Sequence, residues 1–290
     1  METIGVIGAG VMGVGVSQCL AQSGYEVILV DISHQVLTNA YKVIKQNLRF
    51  QSLFNAQSDQ KENINIVLDR IAFTEDYNRL AEVGFIIENV TEKWDIKKDL
   101  YCKLDKICSI NSIFAANTSC ISITRIASVS ANPSRIVGLH FMNPVPLKPW
   151  VEVIYGYHTS QETKDRATML LSSLGKGYIE VNDFPGFVSN RILMQFINEA
   201  IFEVQEGVAK PGDIDGIFKK CLGHKMGPLE TADLIGLDTL LYSLEVLYES
   251  YKDGKFRPCP LLCKMVDAGL LGMKSGQGFY TYERYPQEVG

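Results

Sequence analysis

Long hydrophobic runs, an excess of basic residues and paired cysteines are all missing from this sequence. No run reaches the roughly 18 uncharged apolar residues of a membrane-spanning helix, so we expect no membrane segment. The 28 lysines and arginines are outnumbered by 33 acidic residues, and the net charge of -5 disfavours a nucleic-acid partner, which requires a basic surface. The seven cysteines include no C-x-x-C pair, which favours reduced, buried thiols over a metal site.

A secretory leader is also not recognisable, because the strand-like TIGVIGAG begins at Thr3, without a basic region or a cleavage site before it. We therefore expect a cytoplasmic protein. With 290 residues, 46% of them hydrophobic, the chain has enough apolar material for more than one core. Two globular domains are the default expectation for this length.

Short apolar runs alternate with helical patterns through the first half of the chain. This alternation predicts an α/β fold with a doubly wound, mainly parallel sheet. One pair is expected to be antiparallel, because WVEVIYG follows RIVGLHF across a proline-rich loop that is too short for a crossover helix. From residue 185 onward the pattern is helical throughout, so we predict two domains, 1–184 and an all-helical 185–290. The runs interpreted as strands are IGVIG, EVILVD, FIIENV, SIFAAN, RIVGLHF, WVEVIYG and GYIEV.

A glycine-rich turn follows the first predicted strand and opens a helix. The segment from Gly8 to Gly13 fits G-x-G-x-x-G, and Asp31 ends the second strand about 20 residues later, as in Rossmann-like dinucleotide sites. The first glycine permits the tight turn, Gly10 admits a pyrophosphate and the third allows close packing of the helix on the strand. Asp31 would bind ribose hydroxyls and repel a 2′-phosphate, which favours NAD over NADP. FAD stays open as an alternative at this point, since its adenine half is held in the same way. The predicted contacts in this turn are Gly8, Gly10, Val11, Met12, Gly13 and Asp31.

One of the four histidines, His140, closes a predicted strand at the sheet edge where open parallel sheets bind ligands. An imidazole there suits removal of a proton from an alcohol as hydride leaves. Such a base needs a carboxylate to orient its ring, and Glu152 is the candidate on the antiparallel neighbour. Glu152 in turn lies within an apolar strand and needs a partner, so each residue makes the other more plausible.

Polar residues follow another predicted strand and begin the second domain. Asn117 and Ser119 come after SIFAA, where a hydroxyl could bind the substrate oxygen, although Ser119 could equally cap the next helix. Asn190 could donate to the carbonyl oxygen formed by oxidation, with a plain helix-surface position as the alternative. Both assignments stay open on the residues alone.

Together these motifs resemble the L-3-hydroxyacyl-CoA dehydrogenase family from end to end. The resemblance implies that His140 and Glu152 are the catalytic pair and that Ser119 and Asn190 orient the substrate. It also implies that Glu92, Lys97 and Asn117 contact NAD, and that the protein is a homodimer with a helical C-terminal domain. The segments that carry it are VIGAGVMG, ENVTEKWDIKKDL, ANTSCISIT, LHFMNPVPLKPWVEVI, DFPGFVSNRIL, GHKMGPLETADLIGLD and KSGQGFYTY.

One stretch, NLRFQSLFNAQSDQKEN, departs from the lysine-rich helices of the family's CoA-using members. Phe50, Leu53 and Phe54 make it apolar, while Arg49 and Lys61 are the cations nearby. Together with VTEKWDIK, GYHTS and FRPCPLLCKMVDAG, it resembles a subgroup whose substrate, a glyceryl or seryl thioester, is carried on an acyl carrier protein during polyketide extender-unit synthesis. That substrate is our main sequence-based expectation. A 3-hydroxybutyryl-CoA dehydrogenase, a gulonate-type dehydrogenase and a non-enzymatic NAD sensor are the alternatives.

Overall fold

The computed structural model describes residues 2–54 and 63–282, residues 53 and 54 by their backbone alone. The chain divides into two compact units, residues 1–184 and 185–290. The first unit is α/β and the second is helical. The strands are β1 (Thr3–Ile7), β2 (Glu26–Val30), β3 (Ile71–Thr74), β4 (Phe85–Glu88), β5 (Ile113–Ala116), β6 (Ile136–Phe141), β7 (Trp150–Tyr155) and β8 (Gly177–Asn182).

Helices surround this sheet and make up the second unit. Those of the first unit are α1 (Val11–Gln22), α2 (His34–Phe54), α3 (Ile64–Asp69), α4 (Trp94–Ile107), α5 (Ile123–Ala127) and α6 (Gln161–Ser173). Those of the second are α7 (Ser189–Gln205), α8 (Pro211–Lys220), α9 (Pro228–Ile235), α10 (Leu237–Tyr251) and α11 (Pro260–Asp267). None of the helices in the described part of the chain is long and apolar enough to cross a membrane.

The sheet has the strand order β3-β2-β1-β4-β5-β6-β7-β8. All neighbouring pairs are parallel except β6 and β7, which run in opposite directions. The α/β fold with a mainly parallel sheet and a helical second unit is as predicted, and so is the single antiparallel pair. In consequence, β7 and β8 run against the other six strands.

Burial explains why the middle of the sheet reads as continuous apolar runs. Every residue of β4, β5 and β6 is buried, as expected for parallel strands covered on both faces. The edge strand β3 was not predicted. It has four residues, of which Ile71 is the buried one, so its pattern is too weak to be recognised.

The second unit forms a core of its own from α7, α9, α10 and α11. Two buried carboxylates each accept backbone N–H groups within this unit. Asp215 accepts the backbone N–H groups of Leu229 and Glu230 at the start of α9. Asp233 accepts those of Phe279 and Tyr280. Burial raises the pKa of the Asp233 carboxyl above its ordinary value, although these N–H groups oppose the shift.

Candidate active site

The three glycines of the first turn differ in their surroundings. Gly8 has a φ of +89°, which favours glycine, and a Cβ there would lie 2.8 Å from the carbonyl oxygen of Asn89. A Cβ on Gly13 would lie 1.7 Å from the Gly8 carbonyl oxygen, so only glycine lets α1 pack this closely on the turn. A Cβ on Gly10 would meet no atom within 4 Å. The space in front of the α1 N-terminus is therefore open, as the binding of an anionic group by the helix N-terminus requires.

The remaining predicted contacts of this turn lie as follows. Val11 is the first residue of α1 and is exposed, whereas Met12 packs against the core of the first unit. The Asp31 carboxylate accepts the Ala9 N–H through Oδ2 at 2.8 Å and the Ser33 N–H through Oδ1 at 3.1 Å. Asp31 thus joins the glycine turn to the end of β2, which places its charge beside the open space.

His140 and Glu152 lie directly opposite each other in the antiparallel register of β6 and β7. The imidazole Nδ1 lies 2.9 Å from Glu152 Oε2, and both side chains are more than 90% buried. The strand pairing fixes the distance between the two backbones, and the hydrogen bond fixes the plane of the ring. This arrangement orients the other ring nitrogen, Nε2, for proton transfer.

Ser119 completes a chain of three side chains. Its Oγ lies 3.1 Å from His140 Nε2. The capping alternative does not apply, because the N-cap of α5 is Ser122, whose hydroxyl accepts the Arg125 N–H. A substrate hydroxyl held at Nε2 would therefore also be within reach of the Ser119 hydroxyl.

Glu92 organises the loop that carries Ser119. Its Oε1 accepts the hydroxyl of Thr118 and the backbone N–H groups of Ser119, Cys120 and Ile121. The three N–H distances are 3.0, 3.0 and 3.2 Å. A contact between Glu92 and a cofactor stays a prediction, while its contact with this loop is a feature of the fold.

Lys97 lies fully buried behind Glu92. Its ammonium donates to both oxygens of Glu88, at 2.7 and 2.8 Å, and lies 3.8 Å from Glu92 Oε2. Burial raises the pKa of Glu88 above its ordinary value, although Lys97 opposes that shift. Burial also raises the pKa of Tyr101, whose hydroxyl donates to Glu88. The Lys97 ammonium thus already faces two carboxylates. Its predicted contact with NAD stays a prediction.

Asn117 bridges the ends of two strands. Its Nδ2 donates to Asn89 Oδ1 at 2.7 Å, and its Oδ1 accepts the Phe141 N–H at 3.2 Å. Phe141 follows His140, so Asn117 braces the end of β6 beside the imidazole. Its contact with NAD stays a prediction.

Asn190 belongs to the second unit, near the start of α7, and its predicted role in orienting the substrate likewise stays a prediction.

A cavity of about 500 Å³ lies beside the glycine turn. One wall is the loop between β6 and β7, and the buried ammonium of Lys176 holds that loop by donating to the carbonyl oxygens of Val145 and Lys148, both at 2.8 Å. The role of Lys176 was not predicted. The lining contains valines, prolines and uncharged amides: Ala9, Gly10, Val11, Val14, Gly15, Gln35, Val36, Asn39, Val43, Asn47, Asn143, Pro144, Val145 and Pro146.

Both parts of the chain match models of one protein family. Residues 3–184 match the model of the 3-hydroxyacyl-CoA dehydrogenase NAD binding domain, and residues 186–282 match that family's C-terminal domain. The chain belongs to the 3-hydroxyacyl-CoA dehydrogenase family. It is therefore an NAD-dependent oxidoreductase, and the FAD alternative is removed.

Relatives within the 3-hydroxyacyl-CoA dehydrogenase family match over nearly their whole length. A probable 3-hydroxybutyryl-CoA dehydrogenase of Deinococcus radiodurans is 50% identical and aligns with 96% of this chain and 99% of its own. A probable 3-hydroxybutyryl-CoA dehydrogenase of Bacillus subtilis is 44% identical, with 98% of both chains aligned. The crystal structure of (S)-3-hydroxybutyryl-CoA dehydrogenase from Ralstonia eutropha superposes with a TM-score of 0.91 at 40% identity, covering 98% of this chain and 100% of that one.

These relatives favour the CoA alternative over the carrier-protein substrate that we expected from residues 48–63. Much of that apolar stretch lies outside the described residues, including Lys61 and the side chains of Leu53 and Phe54. Arg49 and Phe50, at the end of the described part, are exposed. The family relationship therefore carries more weight than the composition of this stretch.

Proposed function

We propose that this chain oxidises the 3-hydroxyl of a short 3-hydroxyacyl-CoA thioester, such as 3-hydroxybutyryl-CoA, with NAD as the hydride acceptor. The observation that carries the proposal is the chain of hydrogen bonds from Ser119 to His140 to Glu152. This chain begins at Ser119, which follows β5 at the carboxyl edge of the sheet. The names of the family relatives support the same reaction and the same thioester.

Each residue of this chain has a distinct task in the proposed reaction. His140 removes the hydroxyl proton through Nε2, and Glu152 stabilises the imidazolium that forms while keeping the ring in place. Ser119 holds the reacting oxygen beside Nε2, which keeps the substrate in line for transfer. NAD, when bound along the glycine turn, supplies the hydride acceptor. Asn190 is proposed to donate to the carbonyl oxygen that the oxidation forms.

The cavity beside the glycine turn supports a thioester carried on a pantetheine arm. Its amide side chains, among them Gln35, Asn39 and Asn47, match the two amide groups of such an arm, and its valines match the apolar part. CoA and acyl carrier proteins share this arm. The carrier must therefore be decided by an experiment that compares the two.

The test measures NADH oxidation with acetoacetyl-CoA and with the same acyl group on a carrier protein, and it measures NAD reduction with a free sugar acid such as gulonate. We expect rapid turnover of the CoA thioester. Activity confined to the carrier-bound substrate would support the carrier-protein hypothesis. Activity confined to the sugar acid would favour the gulonate alternative. Absence of turnover on all three would contradict the proposed function.

Two variants connect the activity to the site. His140→Ala is expected to lower kcat by about 10²- to 10⁴-fold, because the general base is lost. His158→Ala is the matched control, since His158 is an exposed histidine beyond the end of β7. Equal loss in the two variants would contradict the assignment of His140.

We further propose, from the family resemblance, a homodimer located in the cytoplasm. Sedimentation equilibrium of the purified chain tests the first point, and fractionation of the producing cell tests the second. A monomer that retains full activity would overturn the proposed dimer.

A further inference from the structure

The loop between β5 and α5 carries Ser119 without regular secondary structure of its own. Its position must therefore come from side chains outside it. One oxygen atom, Glu92 Oε1, accepts hydrogen bonds from four consecutive residues of this loop, Thr118 to Ile121. A carboxylate that accepts several backbone N–H groups makes charge-assisted bonds, which are stronger than neutral ones.

The other carboxylate oxygen of Glu92 faces the buried ammonium of Lys97, which is itself bound by Glu88 at the end of β4. Lys97 lies on α4, so a strand and a helix hold Glu92 from behind. The loop is thereby tied to the rigid part of the sheet. Any displacement of the Glu92 carboxylate would move the Ser119 backbone N–H, which bonds to it directly at 3.0 Å.

The position of this loop affects the reacting atoms through the Ser119 side chain. The Ser119 hydroxyl lies 3.1 Å from His140 Nε2, a distance that a shift of 1 Å in the loop would lengthen beyond hydrogen bonding. We propose that Glu92 is a positioning residue that holds the Ser119 hydroxyl on the imidazole of His140. This inference rests on the proposed dehydrogenase function, and it assigns Glu92 a task that is separate from binding NAD.

The experiment is a double-mutant cycle on the full chain, with Glu92→Gln, Ser119→Ala and the double variant. Turnover of acetoacetyl-CoA and the Kd for NADH are measured for each. Glu92→Gln keeps the size of the side chain and removes its charge. We expect kcat to fall about 10- to 100-fold, as for a misplaced catalytic group, with the Kd for NADH within twofold of the unsubstituted chain. The double variant should be no slower than Ser119→Ala alone, because Glu92 acts through Ser119.

Asp183→Asn is the matched control. The Asp183 carboxylate accepts the Ser122 hydroxyl and the N–H groups of Ile123 and Thr124. These three residues directly follow the loop segment that Glu92 binds. We expect its kcat to change less than threefold. An equal loss in Asp183→Asn and Glu92→Gln would overturn the proposal, since it would show only that the segment must be anchored.

Three other results would also overturn the proposal. They are an unchanged kcat in Glu92→Gln, additive effects on kcat in the double variant, and a rise in the Kd for NADH large enough to account for the loss of turnover. If Glu92→Gln does not fold, Thr118→Val replaces it in the cycle. This variant leaves the carboxylate in place and removes the Thr118 hydroxyl, which donates to Oε1 and accepts the Ile121 N–H. The same non-additivity is expected, and additivity would again refute the inference. An inactive unsubstituted chain would refute the proposed function instead, so the two failures are distinguishable.

Discussion

His140 and Glu152 form a directly opposed pair on two antiparallel strands, with the imidazole Nδ1 2.9 Å from the carboxylate. The backbone ladder sets this distance, so the pair is built before any ligand arrives. In the proposed reaction the imidazole becomes positively charged, and it benefits from a carboxylate already in place because no reorganisation is needed at that moment.

Replacing Glu152 by glutamine tests this relationship. The amide keeps the size of the side chain but removes the charge that stabilises the imidazolium, so we expect kcat to fall about 10²- to 10⁴-fold. Single-turnover measurement of NADH oxidation isolates the hydride-transfer step. Glu180→Gln, at an exposed position of the neighbouring strand β8, is the control and should retain full turnover. Glu152→Gln with kcat within twofold of the original would contradict the role.

Asp31 is expected to set the preference for NAD over NADP. Asp31→Asn removes the charge that repels a 2′-phosphate and weakens a charge-assisted hydrogen bond to the ribose, so the ratio of kcat/KM for NAD to that for NADP should fall about tenfold or more. Parallel assays with both cofactors measure it. Asp76→Asn, in the turn after β3, changes an exposed carboxylate of the same unit and should leave the ratio unaltered. An unaltered ratio in Asp31→Asn would show that other residues select the cofactor.

Lys176→Met is expected to lower the free energy of unfolding by about 1 to 3 kcal/mol, because the carbonyl oxygens of Val145 and Lys148 lose a buried charged donor. The KM for the thioester should rise in the same variant, since this loop lines the cavity beside the glycine turn. Urea unfolding and steady-state kinetics measure the two effects. Lys148→Met changes an exposed lysine in the same loop and should leave stability nearly unchanged. Equal stability of the two variants would contradict the role of Lys176.

The cysteines should differ sharply in reactivity. Burial raises the pKa of the Cys108 thiol to about 11, so at pH 8 roughly one part in a thousand is the reactive thiolate. Burial also raises the pKa of the Cys19 and Cys259 thiols. Cys221 is exposed. A disulfide reagent at pH 8 should therefore give one fast phase, which Cys221→Ser removes. A fast phase that persists in that variant would place an accessible thiol elsewhere.

The predictable part of the fold is the part with strong local signals. Apolar runs revealed seven strands, and the short loop between β6 and β7 revealed their opposite directions. The strand β3 was missed because it has four residues, of which Ile71 is the buried one, so its apolar run is too short to be recognised. The other edge strand, β8, has six residues and was predicted although four of them are exposed.

The candidate site was predictable where two unusual residues required each other, as His140 and Glu152 do. The tasks of Glu92 and Lys176 were not predictable. Glu92 is a polar residue in a polar loop, and its partners follow 26 to 29 residues later. The carbonyl partners of Lys176 precede it by 28 and 31 residues, and no local pattern marks them. Contacts of this kind depend on the folded chain and leave no periodic trace in the sequence.

The order of groups from Ser119 through His140 to Glu152 is also that of a serine hydrolase, in which the hydroxyl attacks a carbonyl carbon. Such chemistry needs N–H donors for the oxyanion of the tetrahedral intermediate. Here the three N–H groups at and after Ser119 already bind the Glu92 carboxylate, so an oxyanion at that place would meet a negative charge. The contact with Glu92 that fixes the serine thus disfavours acyl transfer to the serine hydroxyl. In the proposed reaction, the C–S bond of the thioester therefore stays intact while the alcohol is oxidised.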